Sequence, residues 1–136
     1  MVMKTSRRRT ALGVASGAVI AAGLAAHAVG TPEAAAVSDA LYAVLVYLLL
    51  GLVFVRARPW MLGVAAFGVS AVIELAQLTG LPERWSQAFP PLALVLGSTF
   101  SAWDLVAYGV GALVVTAVDT AVSARWRRAA SRNSAP

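Results

Sequence analysis

The chain has 136 residues, of which 60% are apolar and only 12% charged, and it carries a formal net charge of +5. A soluble domain of this size has too much surface for its volume to hide so much apolar area, whereas lipid allows apolar side chains to face outward. The lack of cysteine excludes disulfides, thiolate metal sites and a cysteine nucleophile, and a single histidine cannot build a histidine metal site.

In chain order, residues 1–9 form a basic segment holding Lys4, Arg7, Arg8 and Arg9. Four apolar runs follow, over residues 10–30, 38–55, 60–79 and 101–124, and a basic tail covers residues 125–136. Each run has roughly 17–24 residues, enough to cross a hydrocarbon core about 30 Å thick. Ser38 can cap the second run, Gly80 suits the end of the third, and Ser101 with Asp104 has the spacing of a capping box. Pro82, Pro90, Pro91 and Gly97 break any continuous helix between the third and fourth runs, so an interfacial or re-entrant stretch is expected there. The first few residues and Arg132 to Pro136 are expected to be disordered. The fold class is therefore all-α: a polytopic membrane protein, a bundle of four transmembrane helices.

Basic residues give the direction. Lys4, Arg7, Arg8, Arg9, Arg56, Arg58, Arg125, Arg127, Arg128 and Arg132 fall on one side of a four-span chain, and only Arg84 falls on the other. That side, with both termini, is expected to be cytoplasmic. Trp60, Trp85, Trp103 and Trp126 lie near span ends, as interfacial aromatics do. The basic clusters sit at the edges of apolar runs, where they suit anionic lipid headgroups, so no nucleic-acid partner is expected. An alternative reading takes Arg7-Arg8-Arg9, the first run and Ala26-His27-Ala28 as a cleaved signal peptide, which leaves three spans.

An ionisable residue inside an apolar run is a functional hypothesis, because its burial is costly. Glu74 is the clearest instance, with Ser70 and Gln77 on the same helix face. Asp104 and Tyr108 share a face of the fourth span, Asp39 and Tyr42 open the second, and His27 lies near the end of the first. All fall in the outer half of the membrane. They suggest one polar cluster around Glu74, Gln77, Asp104 and Tyr108, with Asp39 and Tyr42 beside it, as a ligand or proton site. Each residue also has a plain structural role open to it: Asp104 as a cap partner, Asp39 at a helix N-terminus, His27 at the interface, Glu74 hydrogen-bonded to Tyr42 or Tyr108. Asp119 is placed to reach the Arg125–Arg128 cluster. Gly63, Gly68, Gly109 and Gly111 would let helices approach closely.

Asp39-Ala40-Leu41-Tyr42-Ala43, Ile73-Glu74-Leu75-Ala76-Gln77-Leu78 with Trp85, Leu94-Val95-Leu96-Gly97-Ser98-Thr99-Phe100, and Asp104-Leu105-Val106-Ala107-Tyr108 with Gly111 together resemble an uncharacterised bacterial membrane family, domain of unknown function 2809. The resemblance covers residues 15 to 120. The Glu-x-x-Gln helix followed by an Asp-starting helix is also similar to VanZ-like proteins. The resemblance implies the architecture and these site residues but no activity. The family pattern carries an arginine shortly before the Leu-Gly step, and residues 85–100 of this chain contain none. Glu74 must then be satisfied otherwise or be protonated.

The reading that follows is a multi-pass protein of the bacterial plasma membrane, an envelope binding or structural protein without cofactor or metal. Its polar cluster would recognise a lipid headgroup or envelope precursor, or hold partner helices. Membrane lipids are its expected partners, and a homo-oligomer is open to it. The alternative is a small proton- or cation-coupled transporter acting as a dimer, with Glu74 as coupling carboxylate. An enzyme is not expected: Glu74 and Asp104 are the only carboxylate pair on offer, and the rest of a catalytic constellation is missing.

Overall fold

The structure, a computed structural model, describes residues 2–97 and 99–134, with side chains from residue 5 onward. It is helical throughout, without a strand among the described residues: α1 (Val2–Val29), α2 (Pro32–Val53), α3 (Pro59–Ala76), α4 (Leu81–Ala88), α5 (Ala93–Leu96) and α6 (Ala102–Asn133). Prolines set several of the starts. Pro32 and Pro59 occupy the first turns of α2 and α3 and Pro82 that of α4, where the missing N–H would have no helical partner anyway.

Four of the helices, α1, α2, α3 with the 3-10 turn that follows it, and α6, are long and apolar enough to cross a membrane. They form a four-helix bundle in which α2 packs against α1, α3 and α6, and α3 packs against α6. Leu12, Tyr47, Leu48, Leu62 and Ala66 make the buried core. Val14, Leu24, Leu49, Val64, Val72 and Leu113 point outward and are exposed, as lipid-facing side chains are. Two glycines let backbones meet. A Cβ on Gly111 would fall 2.2 Å from the Ala40 carbonyl oxygen of α2, and one on Gly63 would fall 2.2 Å from the Thr116 hydroxyl of α6. Gly68 faces open space and Gly109 would make only ordinary contact with Phe67, so the close approach expected of all four belongs to two.

Several boundaries differ from those expected of the sequence. α2 starts at Pro32, not near Ser38, because the Thr31 hydroxyl accepts the Ala34 N–H at 3.2 Å and caps the helix. Ser38 lies inside α2, and its hydroxyl donates to the Gly23 carbonyl of α1 at 3.2 Å. The basic ends are helical rather than disordered: α1 begins at Val2 and α6 runs to Asn133. The remainder of those disorder expectations, at Met1 and Ala135–Pro136, lies outside the described residues. At 1.5 Å per residue α6 is about 48 Å long, well beyond a hydrocarbon core of about 30 Å.

Between α3 and α6 the chain is broken as expected. Gly80, in the left-handed region at φ +72°, ends the turn after α3. α4, a 3-10 turn at Pro90–Leu92 and α5 follow. Leu81, Trp85, Phe89, Leu94 and Val95 are exposed along this stretch, which suits an interfacial segment.

Candidate functional site

Two polar networks cross the bundle, one at each end. The end carrying both termini also holds Arg56 and Arg58 and is called the basic end.

At the opposite end, Glu74 of α3 is fully buried. Its carboxylate accepts the Ser101 backbone N–H at 2.6 Å and the Tyr108 hydroxyl at 3.0 Å. Ser101 immediately precedes α6, where an N–H lacks a helical partner. The expected capping box does not form. Ser101 makes no side-chain cap, and the N–H that the third helical residue would have satisfied is taken by Glu74 from another helix. Hydrogen bonds to a charged acceptor are worth about 1.5–3 kcal/mol each, so Glu74 ties α3 to the head of α6.

Asp104 is thereby free of capping. Instead its carboxyl is within hydrogen-bonding reach of Asp39, two turns inside α2, and Tyr108 stands close to both and to Glu74. Asp39 and Asp104 thus form a carboxyl pair. Both are half-buried. Tyr42, one turn below Asp39, packs its ring 5.8 Å from that of Tyr108, tilted by 46°. The six residues singled out by sequence thus gather at one end, on α2, α3 and α6.

Gln77 holds the broken segment. Its amide Nε2 donates to the Leu96 carbonyl at 2.6 Å, and the next residue, Gly97, adopts φ +65° and ψ −172°, a region open almost only to glycine. A Cβ there would fall 2.5 Å from the Gln77 amide nitrogen. Two acceptor atoms stay unpartnered while buried, Gln77 Oε1 and the hydroxyl of Ser70, the latter one turn inward on the Glu74 face. Ser98 lies outside the described residues. His27 is exposed and takes no part. Among the described residues no group of three or more histidines and carboxylates is placed to hold a metal ion.

The basic end holds a network that the sequence pattern does not announce. Arg8 of α1 donates through Nη1 and Nη2 to the two carboxylate oxygens of Asp119 of α6, each at 2.8 Å. Tyr47 of α2 donates to Asp119 at 2.5 Å, and Ser123 donates to it at 3.1 Å while accepting from Arg8 at 3.2 Å. The side chains of Arg8 and Asp119 are only 17% and 12% exposed. Asp119 therefore pairs across the bundle with Arg8, not along its own helix with Arg125–Arg128. Two signals could have found it: an acid and a base at matching depth in the first and last long helices, and a second tyrosine, Tyr47, set among the leucines of α2.

Residues 33–112 match a family model described as "Protein of unknown function (DUF2809)", more than half of the chain. The match takes in Asp39, Tyr42, Glu74, Gln77, Asp104, Tyr108 and Gly111 and leaves Arg8 and Asp119 outside. No curated protein and no solved structure matches.

Proposed function

The chain belongs to the DUF2809 family, described as of unknown function, and from that premise we propose that it is a binding protein of the cell envelope whose site opens at the end away from the termini. By the positive-inside rule the basic end faces the cytoplasm of a bacterial plasma membrane, and the Asp39–Asp104 pair faces outward.

One observation carries the reading. Two half-buried carboxyl groups on different helices stand within hydrogen-bonding reach. Among the described residues the ion pair formed is Arg8–Asp119, so neither has a basic partner there. Two carboxyl groups so close, with acceptor oxygens to spare, favour a positive, proton-donating guest between them. A primary ammonium headgroup has this chemistry, since it brings charge and several N–H donors, whereas a trimethylammonium group brings charge without donors.

Glu74 then acts as scaffold, fixing α6 so that Asp104 faces Asp39. No catalytic role is proposed, because the carboxylate nearest the core is committed to Ser101 and Tyr108. The second reading, proton-coupled transport through Glu74, draws support from the Tyr47–Asp119–Arg8 network, a second polar station at the other end. The apolar core residues Leu48 and Ala66 are buried in the bundle, which favours binding over passage.

The test is lipid retention by the purified full chain in mixed micelles of phosphatidylethanolamine and phosphatidylcholine with identical acyl chains. Preferential retention of phosphatidylethanolamine, lost in Asp39→Asn/Asp104→Asn, supports the proposal; equal retention, or a preference unchanged in the double variant, refutes it.

A further inference from the structure

At the basic end, α1, α2 and α6 enclose an apolar groove of about 250 Å³, lined by Leu12, Val19, Val44, Val118 and Val122 with Trp126. Arg8 and Asp119 also line it, paired with each other, so it offers no net charge there. Trp126 is 48% exposed. One helical turn further along α6 lies a second concavity of about 350 Å³, bounded by Arg125, Arg128, Ala129, Arg132 and Asn133. Ala129 and Asn133 continue the Val122–Trp126 row at helical spacing, and Arg125, Arg128 and Arg132 form the row beside it, about a quarter-turn round the same helix. The first is apolar and lies within the span; the second is basic and lies beyond it. With α6 entering the membrane near Ala102, a 30 Å core ends about 20 residues later, near Val122. Arg125 and Arg128 then stand about 5 and 9 Å beyond that edge, where their long side chains reach headgroups, and Arg132 stands about 15 Å beyond it.

These arginines have no acid to answer. Asp119, the acid nearest in sequence, is held bidentate by Arg8, and among the described residues Arg8–Asp119 is the ion pair formed. Arg125, Arg128 and Arg132 are exposed, on a segment held rigid because α6 continues as one helix to Asn133.

We infer that this part of α6 is a binding site for one anionic phospholipid of the leaflet at the basic end, its acyl chain in the groove and its phosphate against Arg125 and Arg128. The order of chemistry along the helix carries the assignment: apolar toward the membrane centre, basic at its edge, as in the lipid itself. Charge complementarity selects an anionic headgroup over a zwitterionic one. The groove distinguishes a site from general attraction of basic residues to a negative surface.

The experiment measures retention of phosphatidylglycerol and of phosphatidylcholine, with identical acyl chains, by the purified full chain using native mass spectrometry. Phosphatidylglycerol is expected to be held preferentially, and Arg125→Ala and Arg128→Ala each to weaken it by about five-fold, the effect of one basic residue at an anionic surface. Val118→Trp, which fills the groove and leaves every charge in place, is expected to abolish the preference. Unchanged helicity by circular dichroism confirms that this variant is folded, and the exposed arginine variants stand as a second line free of packing change. Equal retention of the two lipids overturns the inference. So does a preference that persists in folded Val118→Trp, since surface charge alone then explains it.

Discussion

Glu74, buried in the third spanning helix, accepts the backbone N–H of Ser101 at 2.6 Å, the residue that opens the last helix. An acid on one helix thus caps another, and the same carboxylate holds Tyr108 one to two turns further along it. Removing the acid should release both donors. Glu74→Ala is expected to lower stability in detergent by about 3 kcal/mol, as loss of two bonds to a charged acceptor requires. Glu74→Gln should cost less, because its carbonyl oxygen can serve one donor while its NH2 faces the other. Tyr108→Phe should cost about 1 kcal/mol, as for a hydrogen bond within a membrane. Thermal unfolding followed by size-exclusion chromatography checks the ranking; equal stability of all three would mean that Glu74 does not tie α3 to α6.

The break before α6 is tested separately. Gly97→Ala meets two obstacles, the φ of +65° and the Gln77 amide 2.5 Å from the new Cβ. A loss of about 1–3 kcal/mol is expected from the backbone alone. Adding Gln77→Ala should relieve the collision but not the backbone strain, so the second substitution should cost less in the Gly97→Ala background than in the parent. Additive losses in the double-mutant cycle would contradict the contact.

Helix approach is tested by pairs of glycines. Gly111→Ala should push α6 from α2, because a Cβ there would lie 2.2 Å from a backbone oxygen, and backbone cannot swing aside. Gly68→Ala, in open space, should leave stability unchanged or raise it through better helix propensity. The melting temperatures of the two variants decide it.

At the basic end, Asp119→Asn should leave the Arg8 guanidinium half-satisfied and loosen α1, whose polar tie to α6 it removes. The charge-swapped pair Arg8→Asp/Asp119→Arg should recover part of the loss. Limited proteolysis of the α1–α2 connection reads the loosening: cleavage should quicken in Asp119→Asn and slow again in the swap. Tyr47→Phe, which keeps the ion pair, should change it little.

Much of the fold was legible because lipid imposes a simple rule: span length and basic flanks are written in composition. The four spans, the break at Pro82–Gly97 and the Gly80 stop all follow from it. Helix ends were less legible. Thr31 outcompetes Ser38 as a cap because Pro32 can begin the helix six residues earlier, and nothing local to Ser38 reports that its hydroxyl turns to Gly23. Pairings between helices were least legible. The Ser101–Asp104 spacing points to a local capping box, and only the folded bundle reveals that Glu74 reaches Ser101 first. Asp119 likewise lies near arginines in sequence, yet it pairs with Arg8, 111 residues away, since bidentate geometry across the bundle was open to Arg8. The six residues of the cluster at the end away from the termini could be picked out because polar groups in apolar runs are conspicuous; their partners could not.

A polar site open at Asp39–Asp104 and closed beneath is tested most directly through the chain's freedom from cysteine. Single substitutions Asp104→Cys and Ser70→Cys are exposed to an impermeant thiol reagent in intact cells and in inverted vesicles. Arg58→Cys serves as the marker of the basic end. Asp104→Cys is expected to label in intact cells, Arg58→Cys only in inverted vesicles, and Ser70→Cys, whose side chain is 1% exposed, in neither. Labelling of Ser70→Cys in a folded protein from both sides would contradict the closed floor and turn the reading toward transport.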